Sequence, residues 1–202
     1  MSISSPVRFG LALVHVSPGS RELDVTNFEE IYDNCAKLVW RTVVRLGVAA
    51  NAVEDVVQDV FLVVHRRLPE FRKGSIARTW VYGITIRVVR NYRRTQLRRR
   101  RVGLAGDSAI EPAWLPDRAD RAPDALVARA QAAALVQRLL GELYDELREV
   151  FVLSELEEMT AHEIGQALGV SPNTVYSRLR AARQAFDQAL ARARARDEWR
   201  IR

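Results

Sequence analysis

Asn173, Ser177, Arg180 and Gln184 recur along one side of a segment whose other side carries Val175, Leu179, Ala182 and Phe186. At about 100° per residue these two sets face opposite ways on a helix. Tyr176 lies on one flank of the polar side and Arg178 on the other. Amide, hydroxyl and guanidinium groups in such a row can hydrogen-bond base edges or phosphates. The flanking residues predict how the helix is placed. Ser171 followed by Pro172 is an N-cap hydroxyl followed by proline at the first helical position. Upstream, Thr160 and Glu163 have capping-box spacing, Ile164 and Leu168 make an apolar stripe, and Gly169 suits a left-handed C-cap. A capped helix, a glycine turn and a second helix with a polar outer face are the parts of a helix-turn-helix. An ordinary αα-hairpin with a solvated face would use the same capping chemistry.

A second concentration of chemistry lies upstream. From Arg66 to Arg101 there are thirteen bases against one acid, Glu70, in a chain of net charge +6. The arginines are interleaved with Phe71, Trp80, Tyr82 and Tyr92. Aromatics beside arginines suit stacking on an unpaired base while its backbone is gripped. A solvated charged face with core-filling aromatics is the plainer reading of the same residues.

The elements that must position these groups all read as helices. Asn27 to Leu46 repeats apolar residues at three- and four-residue steps, through Phe28, Ile31, Tyr32, Cys35, Leu38 and Val39, and Gly47 ends it. Ala52 to Leu68 follows, with Val53, Val56, Val57, Val60 and Val64 as its buried stripe. Glu54, Asp55, Gln58, Asp59 and Leu62 lie away from that stripe. Acids near its start and His65, Arg66 and Arg67 near its end suit the helix dipole, and a partner-docking face is the sharper reading. Ser75 caps a third helix to about Thr95. Ala77, Val81, Ile84 and Val88 form its inner face; Thr79, Tyr82, Arg90 and Arg93 lie roughly opposite. Leu126 to Leu143 and Leu147 to Leu156 supply two more helices before the helix-turn-helix, and the Ala- and Arg-rich tail continues the last helix.

The expected fold is all-α: two small helical domains joined by a flexible linker, the C-terminal one bearing the helix-turn-helix. The domain limits are a flexible extension at 1–26, a first domain at 27–98, a linker at 99–125, a second domain at 126–190 and a basic tail at 191–202. The linker limits rest on Gly103, Gly106, Pro112, Pro116 and Pro123 and a turn to acidic composition.

Composition narrows the function classes. At 202 residues and 48% hydrophobic content the chain can bury cores, and its basic balance suits a polyanionic partner. Cys35 is the only cysteine, so neither an internal disulfide nor a cysteine-based zinc site is expected. No apolar run approaches the ~18 residues that span a bilayer, and the start lacks signal-peptide organisation, which together point to a cytoplasmic protein without direct membrane insertion. His15, His65 and His162 pair with no nucleophile or second metal ligand in the sequence. No catalytic residue, metal, cofactor or small-molecule substrate is therefore expected.

Ordered motifs carry a resemblance. In the first domain they are Glu54-Asp55-x-x-Gln58-Asp59-x-Phe61, then Phe71, Gly74-Ser75, Thr79-Trp80-Val81-Tyr82 and the arginine run. In the second they are Glu163-Ile164-Gly165-x-x-Leu168-Gly169-Val170-Ser171 and Thr174-Val175-x-Ser177-Arg178-Leu179-x-x-Ala182-Arg183. Together they resemble bacterial sigma factors of the extracytoplasmic-function (ECF) group, over roughly Phe28 to Arg98 and Leu135 to Leu190. The resemblance implies an alternative sigma factor that binds core RNA polymerase, recognises promoter −35 and −10 elements and promotes DNA opening. It implies docking on the polymerase by Asp55, Gln58, Asp59 and Leu62. It implies −10 contacts from Phe71, Arg72, Lys73, Ser75, Arg78, Thr79, Trp80, Tyr82, Arg87, Arg90 and Asn91, the Phe71–Ser75 loop capturing a flipped base. It implies −35 contacts from Ser171, Asn173, Thr174, Tyr176, Ser177, Arg178, Arg180, Arg183 and Gln184. An anti-sigma factor is the implied regulator. Arg87 stands where many relatives have Asn, and Gly165 where many have Ala. The alternative is a stand-alone helix-turn-helix repressor or activator, which has no need of the first domain's docking motif.

Overall fold

The computed structural model describes residues 27–71, 77–101 and 123–200. The expectations for residues 1–26, for the loop residues Arg72, Lys73, Gly74 and Ser75, and for the central 102–122 of the linker lie outside the described residues.

The first unit is a three-helix bundle. Helix α1 spans Phe28–Arg45 and α2 spans Val53–Arg67. Helix α3 spans Ala77–Arg101. The Asn27 side chain caps α1 by accepting from the Glu29 amide, and Gly47 leaves the helix at φ +82°, a conformation that favours glycine. Ile31, Cys35, Val39 and Val43 of α1 pack with Val53, Val56, Val60, Phe61 and Val64 of α2 and with Ala77, Val81 and Ile84 of α3. Phe61 takes a place in the stripe that was expected of Val57, which is only half-buried. Helix α3 also runs six residues past the expected end at Thr95. Arginine is a good helix former, so its charge run extends the helix.

The second unit contains α4 (Pro123–Gly141), α5 (Asp145–Phe151), α6 (Ala161–Leu168) and α7 (Pro172–Arg200), with a π turn at Val152–Leu156 after α5. Its first two helices thus start and stop differently from the expected Leu126–Leu143 and Leu147–Leu156. Leu139, Ala189 and Ala193 form a small cluster between α4 and α7. Among the described residues there is no strand.

The two units pack against each other. Val150, Val152, Leu153, Ile164, Ala167 and Leu168 belong to the same continuous core as the α1–α3 residues. Helix α6 lies against α3 so closely that a β-carbon at Gly83 would fall 3.1 Å from the Ala167 carbonyl oxygen. Arg148, 8% exposed, ties the units together. Its guanidinium donates to the carbonyls of Leu140, Gly141 and Leu143 at the end of α4, and to that of Leu46 at the end of α1. Helix C-termini leave carbonyls without intrahelical partners, and one arginine satisfies two such ends.

Candidate nucleic-acid interface

Helix α7 is placed by its caps. Thr160 and Glu163 form the capping box of α6, with the Thr160 amide 2.7 Å from the Glu163 carboxylate and the Glu163 amide 3.3 Å from the Thr160 hydroxyl. Gly169 then adopts φ +70°. The turn is tight: a β-carbon at Gly165 would lie 2.8 Å from the Val170 carbonyl oxygen, so glycine there is required by packing. The Ser171 hydroxyl accepts from the Thr174 amide at 3.2 Å and starts α7. Val175, Leu179 and Ala182 are buried against α5 and α6.

The opposite face of α7 is open. Asn173, Tyr176, Ser177, Arg180, Arg183 and Gln184 are all exposed, Tyr176 by 61%. Arg180 makes no ion pair among the described residues. Three expected contact residues are held by neighbours. Arg178 is half-buried and pairs with Glu146 at 2.6 Å. Arg183 pairs with Glu155 at 2.6 Å. The Thr174 hydroxyl lies 2.9 Å from that of Ser171.

The face of α2 that carries Asp55, Gln58, Asp59 and Leu62 is open too, with Leu62 47% exposed. Beside it Tyr32 and Phe61 bring their rings to 4.7 Å.

Helix α3 departs from the expected open face. Thr79 is 6% exposed and Tyr82 fully buried. The cause is α6 and the turn before it, which pack over that side of α3. Phe71 and Trp80 are half-buried with ring centroids 5.0 Å apart. Arg87, Arg90 and Asn91 remain exposed, and Asn91 accepts from Arg94.

The α3 groups face acids of the second unit, which sequence reasoning did not single out. Glu157 is 1% exposed. Its carboxylate accepts from Arg41 at 3.2 and 2.7 Å, from Arg45 at 2.5 Å and from the Tyr82 hydroxyl at 2.6 Å. Arg78 donates to the Glu157 carbonyl at 2.6 Å and lies over the Tyr82 ring. Arg90 grips the buried Glu149 through two bonds of 2.9 and 2.5 Å. Arg93 pairs with Asp145 at 2.9 Å. The one local signal for Glu149 was an acid beside Val150 and Phe151 in an apolar run.

Burial works to raise the Glu157 carboxyl, but hydrogen bonds from Arg41 and Tyr82 and the charges of Arg41 and Arg45 outweigh it and hold the group below the usual carboxylate range. Burial, then the Glu157 charge, pushes the Tyr82 phenol up. Burial raises the Cys35 thiol to about 11, so it stays protonated near neutral pH.

The comparisons with known proteins bear on both units. Residues 31–99 match the family described as Sigma-70 region 2, and residues 133–186 match Sigma-70, region 4. RNA polymerase sigma factor NccH of Alcaligenes xylosoxydans xylosoxydans is 32% identical over 137 residues, which cover 68% of this chain and 72% of that protein. The chain belongs to the ECF sigma factors. The ECF RNA polymerase sigma-E factor of Escherichia coli (strain K12) is 31% identical over 144 residues, 69% of this chain and 74% of that one. The fold also matches the sigma factor RpoE of Bartonella quintana, solved in complex with the anti-sigma factor NepR. That match has a TM-score of 0.62 at 20% identity and covers 83% of this chain and 98% of that one. The protein is thus an alternative sigma factor for transcription initiation. A stand-alone repressor or activator is not favoured, because it has no place for the sigma region at residues 31–99. No helix among the described residues of the sigma factor is long and apolar enough to cross a membrane.

Proposed function

We propose that this sigma factor divides promoter recognition between α7 and α3 and attaches to core polymerase through α2. Exposed polar residues on one face of α7, opposite Val175, Leu179 and Ala182, carry the −35 assignment. A helix held by two caps and a buried stripe can enter a major groove without reordering its backbone. Asn173, Tyr176, Ser177, Arg180 and Gln184 are the base-reading set. Ser171, Thr174, Arg178 and Arg183 lie at the flanks, where contacts to phosphate fix the register.

The −10 element falls to the Phe71–Ser75 loop and to α3. Phe71 and Trp80 form an aromatic pair beside it, and Arg78, Arg87, Arg90 and Asn91 grip the strand. Extruding a base costs a few kcal/mol, which stacking and phosphate contacts must recover. Asp55, Gln58, Asp59 and Leu62 form a mixed acidic and apolar face suited to a basic protein groove. The sigma factor has no catalytic step of its own in this reading. His162 is exposed and hydrogen-bonds Gln166, and His65 is exposed with its ring edge-on to Phe28. It works in the cytoplasm with the polymerase, and an anti-sigma factor of the kind bound to the Bartonella quintana protein restrains it.

The test is reconstituted transcription with purified core polymerase, the full chain and a randomised library of double-stranded promoters. Core-dependent start sites that share two spaced elements are expected. DNA binding without core, and no initiation with it, would overturn the reading.

A further inference from the structure

The charge run of α3 continues past its promoter-facing residues. Arg90, Arg93, Arg94, Arg98 and Arg101 recur along one side of the helix and, with Asp145 at the start of α5, line a cleft of about 380 Å³. Arg90 is neutralised by Glu149 through two bonds. The other four face a single carboxylate, that of Asp145, which is itself 59% exposed. Arg93 is the most buried of them, its side chain 13% exposed. Neither of its Nη atoms makes a hydrogen bond among the described residues, and Nη1 approaches Asp145 at 2.9 Å without lining up for one. Buried side-chain donors are ordinarily paired, so this guanidinium has donors to offer. A second cation crowds it. A β-carbon at Gly47 would fall 2.6 Å from Nη1 of Arg148 and 3.9 Å from Nη2 of Arg93, so the two guanidinium groups meet over the end of α1. Burial first, and then the Arg93 charge, lower the Arg148 guanidinium from its ordinary range. An excess of one sign of charge in a cleft walled by protein focuses the field on whatever enters.

We propose that this cleft is a binding site for a small oligophosphate, a short chain of phosphates either free or carried on a nucleoside. Only Arg90 is shared with the promoter contacts assigned to α3. From Arg90 to Arg101 the helix rises about 16 Å, more than one phosphate can span. A guanidinium takes two oxygens of one phosphate side by side, so a chain of phosphates can meet arginines on successive turns. Leu97, 58% exposed among these arginines, offers an apolar edge on which a nucleobase can rest. Asp145 is the resident competitor. Its carboxylate lies 2.9 Å from Arg93 and 4.0 Å from Arg148, and its exposure lets it turn to solvent when a stronger anion arrives. That carboxylate also stands toward one end of the stripe. A short ligand ends there, whereas a continuous nucleic-acid strand would have to run on past a like charge.

Isothermal titration calorimetry of the full chain with inorganic tripolyphosphate, GTP and orthophosphate tests the site. Tripolyphosphate and GTP are expected to saturate a single site, and orthophosphate to bind about tenfold more weakly or worse. Equal affinities for tripolyphosphate and GTP would assign recognition to the phosphate chain alone, and tighter GTP would add the base; either supports the site. Arg94→Ala with Arg98→Ala, both exposed, should weaken tripolyphosphate binding about tenfold or more. Arg66→Ala with Arg67→Ala removes the same charge from the exposed end of α2 and should change it by less than about twofold. Asp145→Asn should tighten binding, while Asp33→Asn, an equal charge change on the exposed face of α1, should not. Circular dichroism confirms that each variant is folded. Equal effects of the two arginine pairs would reduce the attraction to diffuse charge and overturn the site. Absence of saturable binding by tripolyphosphate and GTP would overturn it as well. Titration with a dT20 oligonucleotide covers the remaining occupant. Binding of dT20 that is lost in the Arg94 and Arg98 variant, with no binding of tripolyphosphate, would assign the stripe to a strand backbone and end the small-ligand proposal.

Discussion

Replacing Arg148 with methionine should be among the most damaging single changes in this protein. The guanidinium makes four hydrogen bonds to main-chain carbonyls, at 2.6 Å to Leu140, 2.9 Å to Gly141, 3.1 Å to Leu143 and 3.1 Å to Leu46. Methionine fills a similar volume, so packing changes little and the donors are what is lost. A hydrogen bond to a charged group contributes about 1.5–3 kcal/mol, and an unsatisfied buried acceptor costs about 1–3 kcal/mol. The four bonds share one group and are not additive, and the site loses some repulsion, since the Arg93 charge lies near. A loss of about 3–5 kcal/mol is expected, a large part of the stability of a domain this size. Arg148→Lys should recover only part of it, because an ammonium has three donors and no planar fork. Urea unfolding followed by far-ultraviolet circular dichroism measures the difference. A loss within about 0.5 kcal/mol for the methionine variant, the range of ordinary surface substitutions, would refute the reasoning.

Four further outcomes are expected. Arg180→Ala with Ser177→Ala should weaken −35 discrimination by about 1–3 kcal/mol per lost base contact, and an equal fall on every sequence in a competition binding assay would reassign them to phosphate. Asp55→Lys with Asp59→Lys should abolish co-elution with core polymerase at unchanged helicity; retained co-elution would end the α2 docking assignment. Glu158 sits at φ +56°, where a β-carbon costs roughly 1–2 kcal/mol, so Glu158→Gly should raise the unfolding midpoint despite the added flexibility of the unfolded chain, and a lower midpoint would count against strain there. Acid should weaken the contact between the two units at Glu157. The Glu157 group is held below its ordinary 4.5, so its contribution is present above that pH and is lost as pH falls through the lower folded value, leaving Arg41, Arg45 and Arg78 facing one another. The urea unfolding midpoint should fall there in the wild type, with that step absent in Glu157→Gln.

What could be read in the sequence was local. The capping box of Thr160 and Glu163, the left-handed Gly169, the Ser171–Pro172 start and the two faces of α7 depend on residues within one or two helical turns, and each took the expected form. Helical periodicity likewise found Ile31, Cys35 and Val39 of α1 and most of the buried stripe of α2, but Tyr32 is exposed, Phe28 and Leu38 are half-buried, and Phe61 points inward in place of Val57. The departures arose where distant segments meet. Arg90 reaches Glu149 across 59 positions and Arg41 reaches Glu157 across 116, and no spacing rule links such pairs. A helix whose polar side is covered by another helix has the same periodicity as one whose polar side faces water. The sequence by itself therefore determined the all-helical class, the caps of α6 and α7 and the family. Only the tertiary structure decided that Tyr82 and Thr79 are buried and that Arg90 and Arg93 of α3 answer to carboxylates of the second unit, because burial and charge pairing depend on what packs opposite, not on what lies next along the chain.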